Sequence, residues 1–179
     1  MKKAQKFVAL FLVAAVMTLV GCEKENTTNN NNSQPQPRPA GISLAGTSWE
    51  NSIANSATAT IQGYSIDMNI SMLTIMDLND EQNGERFIDF TLDMPMIPSA
   101  SQHQTGTDPI TYNFNGNELI LTYADGNEEY HDTLYFRASD STFLMAVPDY
   151  ELDGMGITYQ ELMGTDTMVF TKTRGTLNF

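Results

Sequence analysis

Apolar and polar residues alternate one for one along much of the chain. Ile66, Met68, Ile70 and Met72 are interleaved with Asp67, Asn69 and Ser71; Ile88, Phe90, Leu92 and Met94 are interleaved with Asp89, Thr91 and Asp93. A period of two sends each apolar set to one face of a strand, the pattern of antiparallel sheets with one wet side. Between these runs Asn79–Glu85 reads as a hairpin turn, with Asn83-Gly84 supplying the positive-φ residues. Farther on, Asn115-Gly116, Asp125-Gly126 and Ser139-Asp140 separate strand-like runs, three successive hairpins that make a meander. Asp166–Thr173 reads as a last strand, and the loop before it is predicted to hold a short helix within Gly156–Gly164, stopped by Gly164. The stretches Ser48–Ala54 and Thr58–Tyr64 bring the count to eight or nine strands. The fold class expected is therefore all-β, an antiparallel up-and-down barrel of about eight strands, because closure removes exposed edges.

Ahead of these strands the pattern changes twice. Lys2, Lys3 and Lys6 precede an apolar run from Phe7 to Val20, broken only by Thr18. A basic start and an apolar run of this length make a secretory signal rather than a spanning helix, which needs about 20 residues. The run ends in Leu19-Val20-Gly21-Cys22, which resembles the bacterial lipobox: aliphatic, small or aliphatic, glycine, cysteine. The resemblance implies cleavage before Cys22, attachment of a diacylglycerol to its thiol and acylation of the new terminus (palmitate being one such chain); a durable anchor needs more than one chain. Cys22 is the lone cysteine, so the mature chain forms no internal disulfide. Residues Glu23 to Gly41 carry an asparagine run (Asn29–Asn32) and prolines at 35, 37 and 39. Such a segment buries too little to offset ordering entropy and is expected to be a disordered tether. The domains expected are 1–21 signal peptide, 22–43 lipidated cysteine and tether, and 44–179 barrel.

The opening Leu44–Asn51, the meander with Asp140–Val147, and the closing Met168–Arg174 resemble the lipocalin-like, or calycin-like, lipoproteins of Bacteroidetes over nearly all of Leu44–Arg174. The resemblance implies an outer-membrane, lipid-anchored protein with a barrel floor made by Trp49 and a basic residue of the last strand stacked on its indole, Arg174 or Lys172. Lipocalins carry one residue between the opening glycine and tryptophan; here Gly46 and Trp49 have two between them. The Cys22-Glu23-Lys24-Glu25 start is similar to the charged export signal of surface lipoproteins in that group, which favours the cell surface over the periplasmic face.

Charge and chemistry narrow the function. Three of the nine basic residues lie in the leader, so the remainder sets six bases against 22 acids, a net of −16. Such a domain is repelled by nucleic acid and by anionic membrane surfaces, leaving Cys22 as its tie to the membrane. His103, in the polar stretch Ser99–Pro109 read as a loop, and His131 have no metal-ligand spacing. His131 and Asp132 are neighbours on one strand and point to opposite faces, so they make no catalytic dyad. Asn79, Glu81, Asn83 and Gly84 start like a calcium loop, but its twelfth position is Phe90 instead of glutamate. No cofactor, metal or catalytic residue is expected, and an enzyme is the least favoured class. Nine of the eleven methionines follow the leader, and methionine adapts to irregular space. Met68, Ile70, Met72, Phe90, Leu92, Met94 and Met145 are the residues expected to line an interior that either holds a small apolar or amphipathic ligand or is simply filled. Tyr123 and Tyr135 are candidates for its hydroxyls. In the second case the protein is a scaffold whose outer face or loops bind an envelope protein or glycan.

Overall fold

The computed structural model describes residues 42–125 and 128–177. The expected leader, Cys22, most of the tether and Gly126 of the expected Asp125-Gly126 turn lie outside the described residues. The domain is an antiparallel eight-stranded barrel in up-and-down order. Its strands are β1 (Thr47–Ile61), β2 (Tyr64–Leu78), β3 (Asn83–Asp93), β4 (Gln102–Phe114), β5 (Glu118–Asp125), β6 (Glu128–Arg137), β7 (Thr142–Ala146) and β8 (Thr167–Arg174). Each pairs with the next, and β8 returns to β1.

The alternation fixes which side chains point in. Ile66, Met68, Ile70, Leu92 and Met94 are buried, while Asp67 and Asp93 are exposed. Outside, Asp67 accepts from Thr58 Oγ1 and Asp93 from Ser101 Oγ. A slip of one residue would put the whole apolar set in water, so the faces hold the register.

Three readings of the sequence are corrected. The two opening stretches are one strand, since β1 pairs with β2 without a break from Thr47↔Leu78 to Ile61↔Tyr64. The polar stretch around His103 is the first half of β4: Gln102 to Asp108 pair with Leu92 to Arg86 on β3. Pro109 is tolerated there because β4 pairs with β5 only from Thr111 onward, which leaves an edge where a missing N–H costs little. Asn83-Gly84 is not the turn but the start of β3. Gly84 pairs with Leu78, and a Cβ on it would run into the Asp77 carbonyl, so close approach is what requires glycine. The turn is residues 79–82, held by Asp80, whose carboxylate accepts from the backbone N–H of Gln82 and Asn83 at 2.8 Å.

Strand lengths are unequal, and this shapes the interior. β1 meets β8 only through Ser48, Trp49 and Glu50. Above that contact the edge of β1 is covered by the β7–β8 connection, residues 147–166. Its short helix α1 (Tyr159–Met163) lies where the sequence predicts it. Thr158 and Glu161 form a reciprocal cap, and Gly164 ends the helix at φ 71°. Asn55 Nδ2 donates to the carbonyls of Glu161 and Leu162, each at 3.0 Å, and Thr60 N–H donates to Met155 O at 2.8 Å. The connection thus satisfies an edge that would otherwise be open.

The Asp80 turn gives a pH prediction. Hydrogen bonds from the Gln82 backbone, the Asn83 side chain and the Asn83 backbone lower the Asp80 pKa below its usual 3.8. A lowered folded-state pKa contributes stability above the unfolded value, lost as pH falls through the folded one. Asp80→Ala should lower the thermal midpoint at pH 7, and its gap from the parent should close as pH falls below 3.8. Melting curves across that range check it; a gap that stays constant into strong acid contradicts it.

Candidate functional site: the barrel interior

One end of the barrel is shut by aromatic rings. Trp49 is wholly buried and stands at 4.5 Å and 70° to Phe143, which also meets Phe136 at 5.2 Å and Phe114 at 5.9 Å. Edge-to-face contacts of this kind add about 0.5–1.5 kcal/mol each beyond the area they bury. The indole N–H donates to Thr47 Oγ1 at 2.8 Å, and that hydroxyl donates to Leu44 O at 2.6 Å, so the one polar atom of the ring is satisfied.

Trp49 is therefore in the floor, but Arg174 is not its partner. The β1–β8 register shifts between Ser48 and Trp49, so Arg174 sits opposite Ser48 and Lys172 opposite Trp49. Ser48 is buried with its hydroxyl donating to the Asp77 carboxylate, and Arg174 reaches that same carboxylate instead of the indole. Its side chain is 69% exposed and pairs with Asp77 Oδ1 at 2.9 Å. Lys172 reaches away as well, donating to Gly175 O at 2.6 Å. The floor is closed by phenylalanine, and among the described residues no basic group is stacked on the indole.

Inward from that floor is a cavity of about 70 Å³. Met72, Met76, Met145 and Met168 line it with Ile88, Leu121, Leu134 and Phe170, and it reaches the far end at Ala146–Pro148, Tyr150 and Tyr159. Tyr150 and Tyr159 stack at 5.4 Å, a lip formed by the β7–β8 connection. Of the residues the sequence singled out, Met72 and Met145 line this space. Met68, Ile70, Leu92 and Met94 face inward but are packed into the core, and Phe90 is half-buried.

The wall also carries charge. Arg86, on β3, has a side chain 5% exposed, and its Nη1 donates to Asp132 Oδ2 at 3.2 Å. Asp132 is itself only 9% exposed. Nη2 donates to Asp108 Oδ2 at 3.2 Å, toward the half-exposed gap where β4 has left β5. The guanidinium carbon lies 3.7 Å from the centroid of the Tyr123 ring, and Tyr123 stacks in turn on Tyr130 at 5.8 Å. Arg86 Nε is buried and has no acceptor among the described residues.

Sequence reasoning missed Arg86 although the signal was present. Arg86 has the parity of Ile88, Phe90 and Leu92, and Asp132 that of Leu134 and Phe136, so both were bound to point inward. Of the two tyrosines, Tyr123 is buried inside and Tyr135 is exposed outside. His131 is exposed while Asp132 is buried, as strand parity requires. His103, outside, pairs with Asp89 at 2.9 Å. Among the described residues no group of three or more His, Cys, Asp or Glu is placed to hold a metal ion.

Comparisons with family models, curated proteins and solved structures found no match for this chain. Its chemistry has to be read from the cavity itself.

Arg174→Ala should leave the emission of Trp49, the sole tryptophan, unchanged, and should cost no more than about 1 kcal/mol, as for other exposed pairs. Phe143→Ala should shift that emission and cost about 3–5 kcal/mol. Fluorescence-detected unfolding of both variants checks this; a spectral shift in the Arg174 variant would contradict the placement.

Proposed function

We propose that the chain is a lipid-anchored lipoprotein of the outer membrane, similar to the lipocalin-like lipoproteins of Bacteroidetes, whose barrel binds a small apolar or amphipathic molecule. The observation that supports ligand binding is the cavity walled by four methionines and carrying one charged cluster. Ligand sites are mostly apolar with a few placed polar groups, and this wall has that composition. Its volume of about 70 Å³ is well below the roughly 300–1,000 Å³ of occupied sites. A ligand of more than a few atoms enters by moving methionine side chains, which have three rotatable bonds and little preference among packings. In this proposal the signal precedes Cys22, the acylated cysteine holds the membrane, and the tether of about twenty residues sets the barrel some 25 Å away. Display at the cell surface is favoured by the Cys22–Glu25 start.

A second reading has its own observation. Tyr135, Leu144 and Val169 lie in register across β6, β7 and β8 on the outer face, with Tyr135 and Val169 exposed. A barrel that is merely filled would use such a row to meet an envelope protein or glycan.

Mass spectrometry of the protein extracted from its own membranes tests both parts. The denatured mass should show a chain beginning at acylated Cys22, and native spectra should show an added small molecule. A free Cys22 thiol in mature protein overturns the anchor. A ligand-free native mass, with no saturable binding of neutral apolar probes at micromolar protein, leaves the scaffold reading.

A further inference from the structure

The charged cluster constrains what the polar end of a ligand can be. Arg86 is held by Asp132 and Asp108, so its charge is already more than balanced by carboxylates within contact. Arg86 and Asp132 are the charged residues that line the cavity. A carboxylate brought beside them would be a third anion facing one cation, in a place where unpaired charge is heavily penalised. A cation would meet the carboxylates, but it would leave Arg86 Nε as it is, a buried donor with no acceptor among the described residues. Burying an unsatisfied donor costs more than a typical hydrogen bond returns, so this N–H selects for an acceptor.

Resting on the ligand-binding reading above, we propose that the barrel selects ligands whose polar end is an uncharged hydrogen-bond acceptor: an alcohol, amide, ketone or ester on an apolar body, and neither a fatty-acid carboxylate nor an amine. The acceptor oxygen takes the Arg86 Nε–H, which has no exposed surface until the side chains around it shift to admit the ligand. The guanidinium is kept in place for it by Asp132 on one side, Asp108 on the other and the Tyr123 ring across its face. The methionines give way to the apolar body.

The test uses a panel in which the chain length is constant and the head changes. 1-Octanol, octanamide, octanoate and octylamine are titrated calorimetrically at pH 7 into the protein from Glu23 onward, which lacks acyl chains that would compete. Octanol and octanamide should bind about tenfold or more tighter than octanoate and octylamine, the margin of a hydrogen bond to a charged donor. Arg86→Lys keeps the positive charge but has no nitrogen at the Nε position, and should bring the four heads to near parity. Octanoate or octylamine binding as tightly as octanol overturns the inference while leaving the ligand-binding reading intact. Equal affinity for all four in the parent also overturns it, since the Nε donor is then met without the ligand. No saturable binding of any member overturns both. Should Arg86→Lys fail to fold, the order within the parent panel decides the question alone.

Discussion

Inside this barrel a guanidinium is held between two carboxylates and a tyrosine ring, and the cost of taking charge out of water governs the arrangement around it. Moving either ion of the Arg86–Asp132 pair into the interior costs several kcal/mol, repaid only if geometry and remaining hydrogen bonds are good. Nη1 and Nη2 of Arg86 are met at 3.2 Å, while Nε has no acceptor among the described residues. Packed hydrophobic residues of similar volume would hold the same space at no greater cost. The pair therefore explains little of the stability. It explains why the apolar interior has one polar point, and where that point is.

The unequal strands put this point within reach. β4 pairs with β5 only between residues 111–114 and 119–122, so the wall loosens beside Asp108, Tyr123 and Arg86. The opposite seam is short too, three residues of β1 against β8, but there the β7–β8 connection fills in and Asn55 ties it down through the end of α1. One end is sealed by aromatic rings and the other is bordered by Tyr150 and Tyr159. The result is a small methionine-lined space with a charged wall.

How much of this could be read beforehand follows from what alternation encodes. A period of two gives strand faces, and Ile66–Met72 and Ile88–Met94 point as expected. Turn residues gave the hairpins where glycine takes positive φ, as at Gly116, and misled at Gly84, where glycine serves a close backbone approach instead. Gln102–Asp108 reads as a loop because its composition is polar; pairing with β3, not side-chain hydropathy, makes it a strand. Arg174 was placed on the indole by analogy, and a register shift at Trp49, invisible in sequence, turns it outward. Met72 and Met145, two of the seven expected lining residues, border the cavity. Met76, Met168 and the lip tyrosines were not among those expected, since strand tilt and the path of a loop decide which inward residues meet.

The central claim is that Arg86 and Asp132 form a coupled pair whose worth lies in polarity rather than stability. A double-mutant cycle on the unfolding free energy tests it most directly, with Arg86→Met, Asp132→Leu and the two combined. Arg86→Met strands the buried Asp132 charge and should cost about 3–5 kcal/mol, Asp132→Leu leaves Arg86 with Asp108 alone and should cost less, and the double variant should recover most of the larger loss. Losses that simply add in the double variant would contradict the account.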